Sequence, residues 1–212
     1  MTQRKLFIAG SSGAIGRTIA RLAHEQGVPA VLHERPRETA PTDPRVKRFP
    51  LDDQEQLQAA LRSCTTVVQV IGTVRKRFTR GDTYETSDIG TTRQLCEAAR
   101  AAGTIDHIVL LSSVGAGRPM GAYLKAKAEA ERLARESGIA YTIFRPSFFI
   151  GEGHKVPLGF ETFLRPSARY RPIQVEQLAG AMLAAAVQHA PLSAILEGQK
   201  LWEVVDRYGP IA

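Results

Sequence analysis

A glycine-rich turn directly follows the first apolar segment of the chain. The segment is Lys5–Ala9, and Gly10, Gly13 and Gly16 come after it. The residues from Ile15 to Ala23 are typical of a helix. A strand, a tight turn and a helix in this order bring backbone N–H groups to the positive end of the helix, where a pyrophosphate binds. The sequence therefore predicts a nucleotide-binding turn.

The spacing of these glycines is Gly-x-x-Gly-x-x-Gly rather than the simplest dinucleotide pattern, Gly-x-Gly-x-x-Gly. Glycines alone are also found in purely structural strand-to-helix turns. Their position, after the first strand and at the start of the first helix, favours phosphate binding. Ser11 and Ser12 add hydroxyl donors for phosphate oxygens.

The overall composition is that of a globular protein. The 212 residues are 43% hydrophobic, which fits one domain with a core that needs no disulfide or metal. Cys64 and Cys96 lack metal-type spacing, and the His residues are isolated, so neither a disulfide nor a metal site is predicted. There is no signal-peptide segment and no apolar run of ~18 residues, so we expect a cytoplasmic protein without a membrane span.

The net charge is +7, and the basic residues are scattered except for a group at Arg75–Arg77 with Arg80. Such a short charge run most often lies in a solvated loop. The alternative is that it steers a phosphorylated cofactor or an acidic substrate. Binding to nucleic acid is not expected, because the sequence has no basic stripe with interleaved aromatic residues.

Short apolar segments alternate with helical patterns along the chain. This alternation predicts an α/β fold of the Rossmann type, a doubly wound parallel sheet with helices on both faces. Gly27, Gly103 and Gly138 are predicted to follow helix ends, and Asp53 to cap a helix. The predicted strands are 5–9, 28–33, 45–49, 66–71, 106–112 and 140–145, and the predicted helices are 14–26, 53–62, 86–102 and 122–137.

The regular alternation stops after Gly151. Residues 151–172 contain Gly, Pro, His and Arg in quick succession, and they follow a strand end, where ligands of open parallel sheets bind. We therefore predict a small irregular C-terminal substrate lobe over the site, within a single domain 1–212. A helix at 175–189, a strand near 193–197 and a helical turn near 199–206 are predicted after it.

The end of the second strand bears on the choice between NAD and NADP. An acidic residue there binds ribose hydroxyls, whereas basic residues accept a 2′-phosphate. Arg17, His33 and Arg35 favour NADP, and Glu34 opposes it. NADP is the preferred prediction.

Tyr123 and Lys127 are four residues apart in a segment rich in helix formers, so their side chains share a helix face. Ser112 and Ser113 end the preceding strand, at the sheet edge where that helix begins. Reduction of a carbonyl by hydride requires a proton for the developing alkoxide. An ammonium beside a phenol favours the phenolate, and a serine hydroxyl can hold the substrate oxygen. A serine, Tyr123 and Lys127 are therefore the predicted catalytic set.

Taken together, these motifs resemble the short-chain dehydrogenase/reductase superfamily. The likeness is closest to an atypical branch with NAD(P)-binding oxidoreductases similar to the Tat-interacting protein, and it extends over about the whole chain. The matching segments are Gly10–Arg17, Leu111–Ser113, Tyr123-x-x-x-Lys127, Arg145–Ser147, Gly72–Arg75 and Arg171–Val175.

The resemblance implies roles for individual residues. Ser113 would be the catalytic serine, with Ser112 as the fallback, and Asp52 or backbone groups would contact the adenine. Lys127 would also hold ribose hydroxyls. The cofactor-binding residues implied are Gly10, Ser12, Gly13, Ile15 and Gly16 at the pyrophosphate, Gly72 and Thr73 at the ribose, and Pro146 and Phe148 at the nicotinamide.

One departure from the family concerns the proton relay, because the Asn that many members carry after the fourth strand is not evident around Ser87 and Asp88. The favoured function is reduction of a small carbonyl- or quinone-type substrate by NADPH. The alternative is a cofactor-binding sensor or regulatory partner protein. A nucleotide-sugar epimerase is disfavoured by the short substrate lobe. A monomer and a homodimer both remain open.

Overall fold

The computed structural model describes residues 3–39, 41–72, 83–151 and 167–208. Within these ranges, the short apolar segments form a seven-stranded, entirely parallel sheet of order β3-β2-β1-β4-β5-β6-β9, and β7 pairs with β8 separately. The strands are β1 (Leu6–Ala9), β2 (Ala30–Glu34), β3 (Val46–Arg48), β4 (Thr66–Gln69), β5 (His107–Leu111), β6 (Ala140–Arg145), β7 (Phe149–Ile150), β8 (Ile173–Gln174) and β9 (Ala194–Glu197).

The helices connect these strands. They are α1 (Ala14–Glu25), α2 (Gln54–Leu61), α3 (Thr91–Ala102), α4 (Gly121–Arg135), α5 (Val175–Gln188) and α6 (Gln199–Tyr208), and a π-helical turn (Glu85–Gly90) leads into α3. Asp53 caps α2 as predicted, because its side chain accepts the N–H of Gln56. Among the described helices, none is both long and apolar enough to cross a membrane.

The core consists of two apolar layers, one on each face of the sheet. Helices α1, α5 and α6 cover one face, and α2, α3 and α4 cover the other. The strands are nearly continuous apolar runs because both of their faces are buried, as in β1 and β5, whose residues are all buried. The prediction of a doubly wound parallel sheet is confirmed.

The order of the strands reverses between β1 and β4, which lie side by side at the centre of the sheet. Ligands of such sheets bind beyond the carboxyl ends of the strands at this switch point. The glycine turn leaves β1 here, and Gly72 follows β4 at the same edge. The fold thus brings the two predicted phosphate and ribose segments together.

Some elements differ from the sequence-based expectations. The predicted helix 86–102 begins as a π turn, and the segment predicted to be irregular is flanked by the short β7–β8 ladder. The predicted basic group at 75–80 and residues 152–166 of the predicted substrate lobe lie outside the described residues.

Candidate functional site

A cleft of about 560 Å³ opens at the switch point. Its walls are contributed by the glycine turn, the exits of β2 and β4, and the π turn before α3. Of the predicted cofactor residues, those that line the cleft are Gly10, Ser12, Gly13, His33, Arg35, Asp52 and Gly72. These residues, separated in the sequence, therefore share one cavity.

The glycine turn has the geometry of a phosphate cradle. Gly10 has φ +92°, and a Cβ atom at Gly16 would lie 2.2 Å from the carbonyl oxygen of Gly10, so neither position tolerates a side chain. Helix α1 starts after Gly13 without a side-chain cap and with no acidic residue in its first turn. Its first N–H groups therefore suit an anion such as a pyrophosphate.

The remaining residues of the turn have different surroundings. Ser11 is buried, and its hydroxyl and backbone N–H both donate to the carbonyl of His33, so its hydroxyl is not the phosphate donor that the sequence suggests. Ile15 is 6% exposed and belongs to the core. The guanidinium of Arg17 donates to the carbonyl of Ser12 at 2.5 Å, next to the cradle.

The prediction that His33 acts as a basic residue toward a 2′-phosphate is wrong. The imidazole is 1% exposed and packs between Phe7 and Phe49, with ring-centroid distances of 5.8 and 4.8 Å. Its Nε2 lies 2.8 Å from the carbonyl oxygen of Phe49. Burial lowers the pKa of His33, so the ring is neutral at pH 7 and does not attract a phosphate.

The next two residues face the cleft. Glu34 pairs with Arg48, with 2.9 Å between Oε2 and Nε, and both side chains are largely buried. Arg35 is exposed on the same wall. The end of the second strand therefore presents two groups: the carboxylate of Glu34, whose charge Arg48 offsets, and the exposed guanidinium of Arg35.

Tyr123 and Lys127 lie one turn apart on α4. The ammonium nitrogen of Lys127 is 6.0 Å from the centroid of the Tyr123 ring, and it donates to the carbonyl of Leu111 at the end of β5. Nζ is also 2.8 Å from Oδ1 of Asp88, and the exposed fractions of these two side chains are 8% and 1%. The ammonium is thus a buried charge with a carboxylate partner.

Gly72 connects this pair to the cleft. It lines the cleft, and a Cβ atom at this position would lie 3.0 Å from Nζ of Lys127 and 3.3 Å from Oδ1 of Asp88. The ammonium therefore lies directly behind the wall where the resemblance places a cofactor ribose. Thr73, the other predicted ribose residue, lies outside the described residues.

The two serines after β5 differ in their contacts. Ser112 is 3% exposed, and its hydroxyl donates to Oε1 of Glu131 at 2.5 Å. Ser113 is half-buried and lies in the loop that leads to α4. This contrast favours Ser113 over Ser112 as the serine that reaches a substrate.

The exit of β6 lies beside the same loop. The N–H of Val114 donates to the carbonyl of Pro146 at 2.9 Å, which places Ser113 and Pro146 on adjacent segments. Pro146 is buried, whereas Phe148 is 48% exposed. Phe148 therefore offers an aromatic surface near the place predicted for the nicotinamide.

Two buried acids were not predicted as residues of the site. Asp88 lies in the segment where the resemblance implies an Asn, and Glu131 lies one turn after Lys127 on the same helix face. Glu131 binds Arg145 through both oxygens, at 2.8 and 2.5 Å, and Arg145 also contacts Glu197 at 3.0 Å. The four-residue spacing of Tyr123, Lys127 and Glu131 was the available signal.

The fold resembles solved structures that contain NAD, a UDP-sugar or both. MoeE5 in complex with UDP-glucose and NAD superposes with a TM-score of 0.72 at 23% identity, covering 91% of this chain and 75% of that chain. WbmH of Bordetella bronchiseptica in complex with NAD+ gives 0.70 at 19% identity, covering 92% and 75%. UDP-glucose 4-epimerase of Thermotoga maritima gives 0.66 at 15% identity, covering 96% and 82%.

No curated protein sequence is significantly similar to this chain. Residues 10–189 match the sequence model of a family described as NAD(P)H-binding. This match begins at the first glycine of the turn and covers most of the chain, including the cleft, Tyr123 and Lys127. By this match, the chain belongs to the NAD(P)H-binding family.

Proposed function

We propose that the chain is a NAD(P)-dependent oxidoreductase that reduces a small carbonyl- or quinone-type substrate. The observation that carries the proposal is the position of the Lys127 ammonium, directly behind Gly72 in the wall of the dinucleotide cleft. Tyr123 lies one turn away on the same helix. A proton donor activated by a cation therefore stands at the end of a site suited to a dinucleotide.

A bound dinucleotide would supply the hydride for the carbonyl carbon. The phenol of Tyr123 donates its proton to the carbonyl oxygen as charge develops there, and the hydroxyl of Ser113 donates a hydrogen bond to the same oxygen. Lys127 stabilises the phenolate left behind and is placed to hold ribose hydroxyls. The glycine turn fixes the pyrophosphate through backbone N–H groups.

For the cofactor we propose a preference for NADPH. Because the ring of His33 is buried, Arg35 is the predicted cation that lines the cleft at the end of β2, whereas Arg17 lies beside the glycine turn and donates to the carbonyl of Ser12. Arg48 offsets the charge of Glu34 at 2.9 Å, which reduces the repulsion of a 2′-phosphate by that carboxylate. Exposed guanidinium groups are suited to such a phosphate.

A nucleotide sugar is the competing substrate class, because some structural neighbours contain UDP-sugars. A sensor with little turnover is the competing role. The position of Tyr123 beside the buried Lys127–Asp88 pair favours catalysis, because cofactor binding alone does not require a phenol next to the ammonium. The experiment must therefore include both classes of substrate.

The test is oxidation of NADPH and NADH, followed by absorbance, with a panel of aldehydes, ketones, quinones and UDP-glucose. We expect turnover with a small carbonyl or quinone, faster with NADPH, and none with UDP-glucose. Ser113→Ala should lower kcat, whereas Ser193→Ala, at the distant groove beside β9, serves as a matched control. Dinucleotide binding without turnover of any substrate would favour the sensor.

A further inference from the structure

The π turn before α3 places Asp88 against α4, the helix that carries Tyr123 and Lys127. The turn spans Glu85–Gly90, and α4 packs on it. A π turn carries one extra residue relative to an α-helix and is frequent at functional sites. Here it buries a carboxylate that is 1% exposed and 2.8 Å from the ammonium of Lys127.

The carboxylate acts on the charge that Tyr123 experiences. A cation near a phenol favours the phenolate, and Nζ of Lys127 lies 6.0 Å from the centroid of the Tyr123 ring. A carboxylate on that ammonium offsets part of this effect. When that carboxylate is removed, the ammonium still has the carbonyl of Leu111 as a hydrogen-bond acceptor, 3.3 Å from Nζ.

Other charged or titratable groups lie on the elements packed around this pair. They are Tyr84 directly before the π turn, Glu85 in it, Arg93 and Cys96 in α3, Arg145 in β6 and Glu131 on α4 itself. Arg145 is bound to Glu131, and Arg93 acts on Glu129. Tyr84 contacts Tyr123 with 5.6 Å between ring centroids. Among the described residues, Asp88 is the carboxylate within ion-pair distance of Lys127.

We propose that Asp88 is a positioning residue of the active site, which holds the Lys127 ammonium behind the ribose wall and limits its effect on Tyr123. Asp88 thus stands in this chain in place of the amide that the resemblance implies at this turn. Gly72 makes the arrangement possible, because a side chain there would displace both charged groups. The inference rests on the proposed role of Tyr123 as proton donor.

The test is the ionisation of Tyr123, measured by the near-ultraviolet absorbance of tyrosinate as the difference from Tyr123→Phe. In Asp88→Asn, the ammonium loses its opposing charge, so Tyr123 should ionise about one pH unit lower than in the wild type. Asp206→Asn removes the same charge from an exposed position on α6 and should leave the midpoint unchanged. Lys127→Met should move the midpoint upward.

A midpoint in Asp88→Asn that is unchanged or higher would overturn the proposal. Asp88→Ser removes the charge with less bulk and must shift the midpoint in the same direction, which covers the case that the Asn variant fails to fold. The titration requires neither cofactor nor substrate. Failure of the proposed oxidoreductase activity is therefore detected separately, as a lack of dinucleotide oxidation by the wild type.

Discussion

Lys127 lies where the dinucleotide cleft meets the helix face that carries Tyr123. Its Nζ contacts the backbone of β5 through Leu111, a carboxylate through Asp88, and the cleft wall at Gly72. Each contact comes from a different element, so the ammonium is fixed by the fold and not by its own flexible chain. This is the residue-scale basis for assigning Tyr123 a chemical role.

Replacing Tyr123 with Phe removes the proposed proton donor and little else. We expect kcat for the reduction to fall by about 100-fold or more, because general acid catalysis contributes on that order. The dissociation constant of NADPH should stay within about twofold, since the phenol belongs to the transition state more than to cofactor binding.

Tyr141→Phe, at the half-buried start of β6, is the matched control and should keep wild-type turnover. Retention of kcat in Tyr123→Phe would assign the proton donor elsewhere.

At the scale of elements, α4 connects the site to β6 and, through it, to β9 at the edge of the sheet. One face of α4 carries Tyr123, Lys127 beside the cleft wall at Gly72, and Glu131, which pairs with Arg145 of β6. Arg145 continues to Glu197 of β9, and Glu197 also pairs with exposed Arg169 at 2.8 Å. Ser112, next to Ser113, is tied to the same Glu131. The chain of buried charges therefore supports the loop that bears the proposed catalytic serine.

Glu131→Gln tests how much these linked ion pairs stabilise the fold. The substitution leaves Arg145 with Glu197 but removes a buried charge that binds the guanidinium twice, so the free energy of unfolding should fall by about 3 kcal/mol. Glu129→Gln is a matched control on the same helix, because its partner Arg132 is half exposed. That change should cost less than about 1 kcal/mol in urea denaturation. Equal losses in the two variants would contradict the structural role of Glu131.

The elements predicted from sequence are those with long, continuous patterns. Buried parallel strands such as β1 and β5 are apolar throughout, and α1 follows a glycine turn with an unmistakable position. The β7–β8 ladder was missed because each strand has two residues, which is too short for a period to show. The π turn was missed because side-chain patterns do not distinguish it from the first turn of α3.

The prediction for His33 failed for a physical reason that strand alternation in the sequence already indicated. Side chains alternate along a strand, so His33 points to the same face as Val31, which packs in the layer containing Phe49. Glu34, one residue later, points away from that layer and pairs with Arg48. Residue type suggested a phosphate ligand, whereas strand periodicity indicated a buried ring. The partners of Asp88 and Glu131 required the tertiary structure.

At the scale of the whole molecule, the two ends of the sheet differ in their polar groups. The cleft lies at the carboxyl edge, and a pair formed by buried His107 and partly exposed His189 lies at the opposite edge. His107, the first residue of β5, stacks on His189 with 5.0 Å between ring centroids, and its Nε2 is 2.9 Å from Oγ1 of Thr142. Arg4 and Asp106 complete this cluster. His107 and His189, expected to be isolated, therefore lie against each other, and it is buried His107 that makes the stability of the fold depend on pH.

Burial, with the neighbouring His189 and Arg4, lowers the pKa of His107 from 6.5 to about 4. Below about pH 6.5, His107 becomes protonated in the unfolded chain but stays neutral in the folded protein. The free energy of unfolding should therefore fall by about 3 kcal/mol between pH 6.5 and 4, and buried His33 adds to the fall.

Urea denaturation across this pH range checks the prediction. His107→Gln should flatten the pH dependence, whereas His24→Gln on the exposed face of α1 should not. An equally steep loss of stability in His107→Gln would show that other groups cause it.

The most direct test of a dinucleotide site at the glycine turn is equilibrium binding of NADPH and NADH to Gly13→Asp and Gly13→Asn. Gly13 is exposed, has φ −79° at the N-cap of α1, and has room for a Cβ atom, 3.5 Å from the nearest carbonyl oxygen. Asp and Asn are both favoured N-caps, so neither variant should lose thermal stability. The two side chains have nearly the same shape and differ in charge.

We predict that the wild type binds NADPH more tightly than NADH. Gly13→Asp should weaken binding by more than about 100-fold through repulsion of the pyrophosphate, and Gly13→Asn by less than about tenfold. A wild type that binds neither dinucleotide, or an Asp variant that binds as tightly as the Asn variant, would contradict the account.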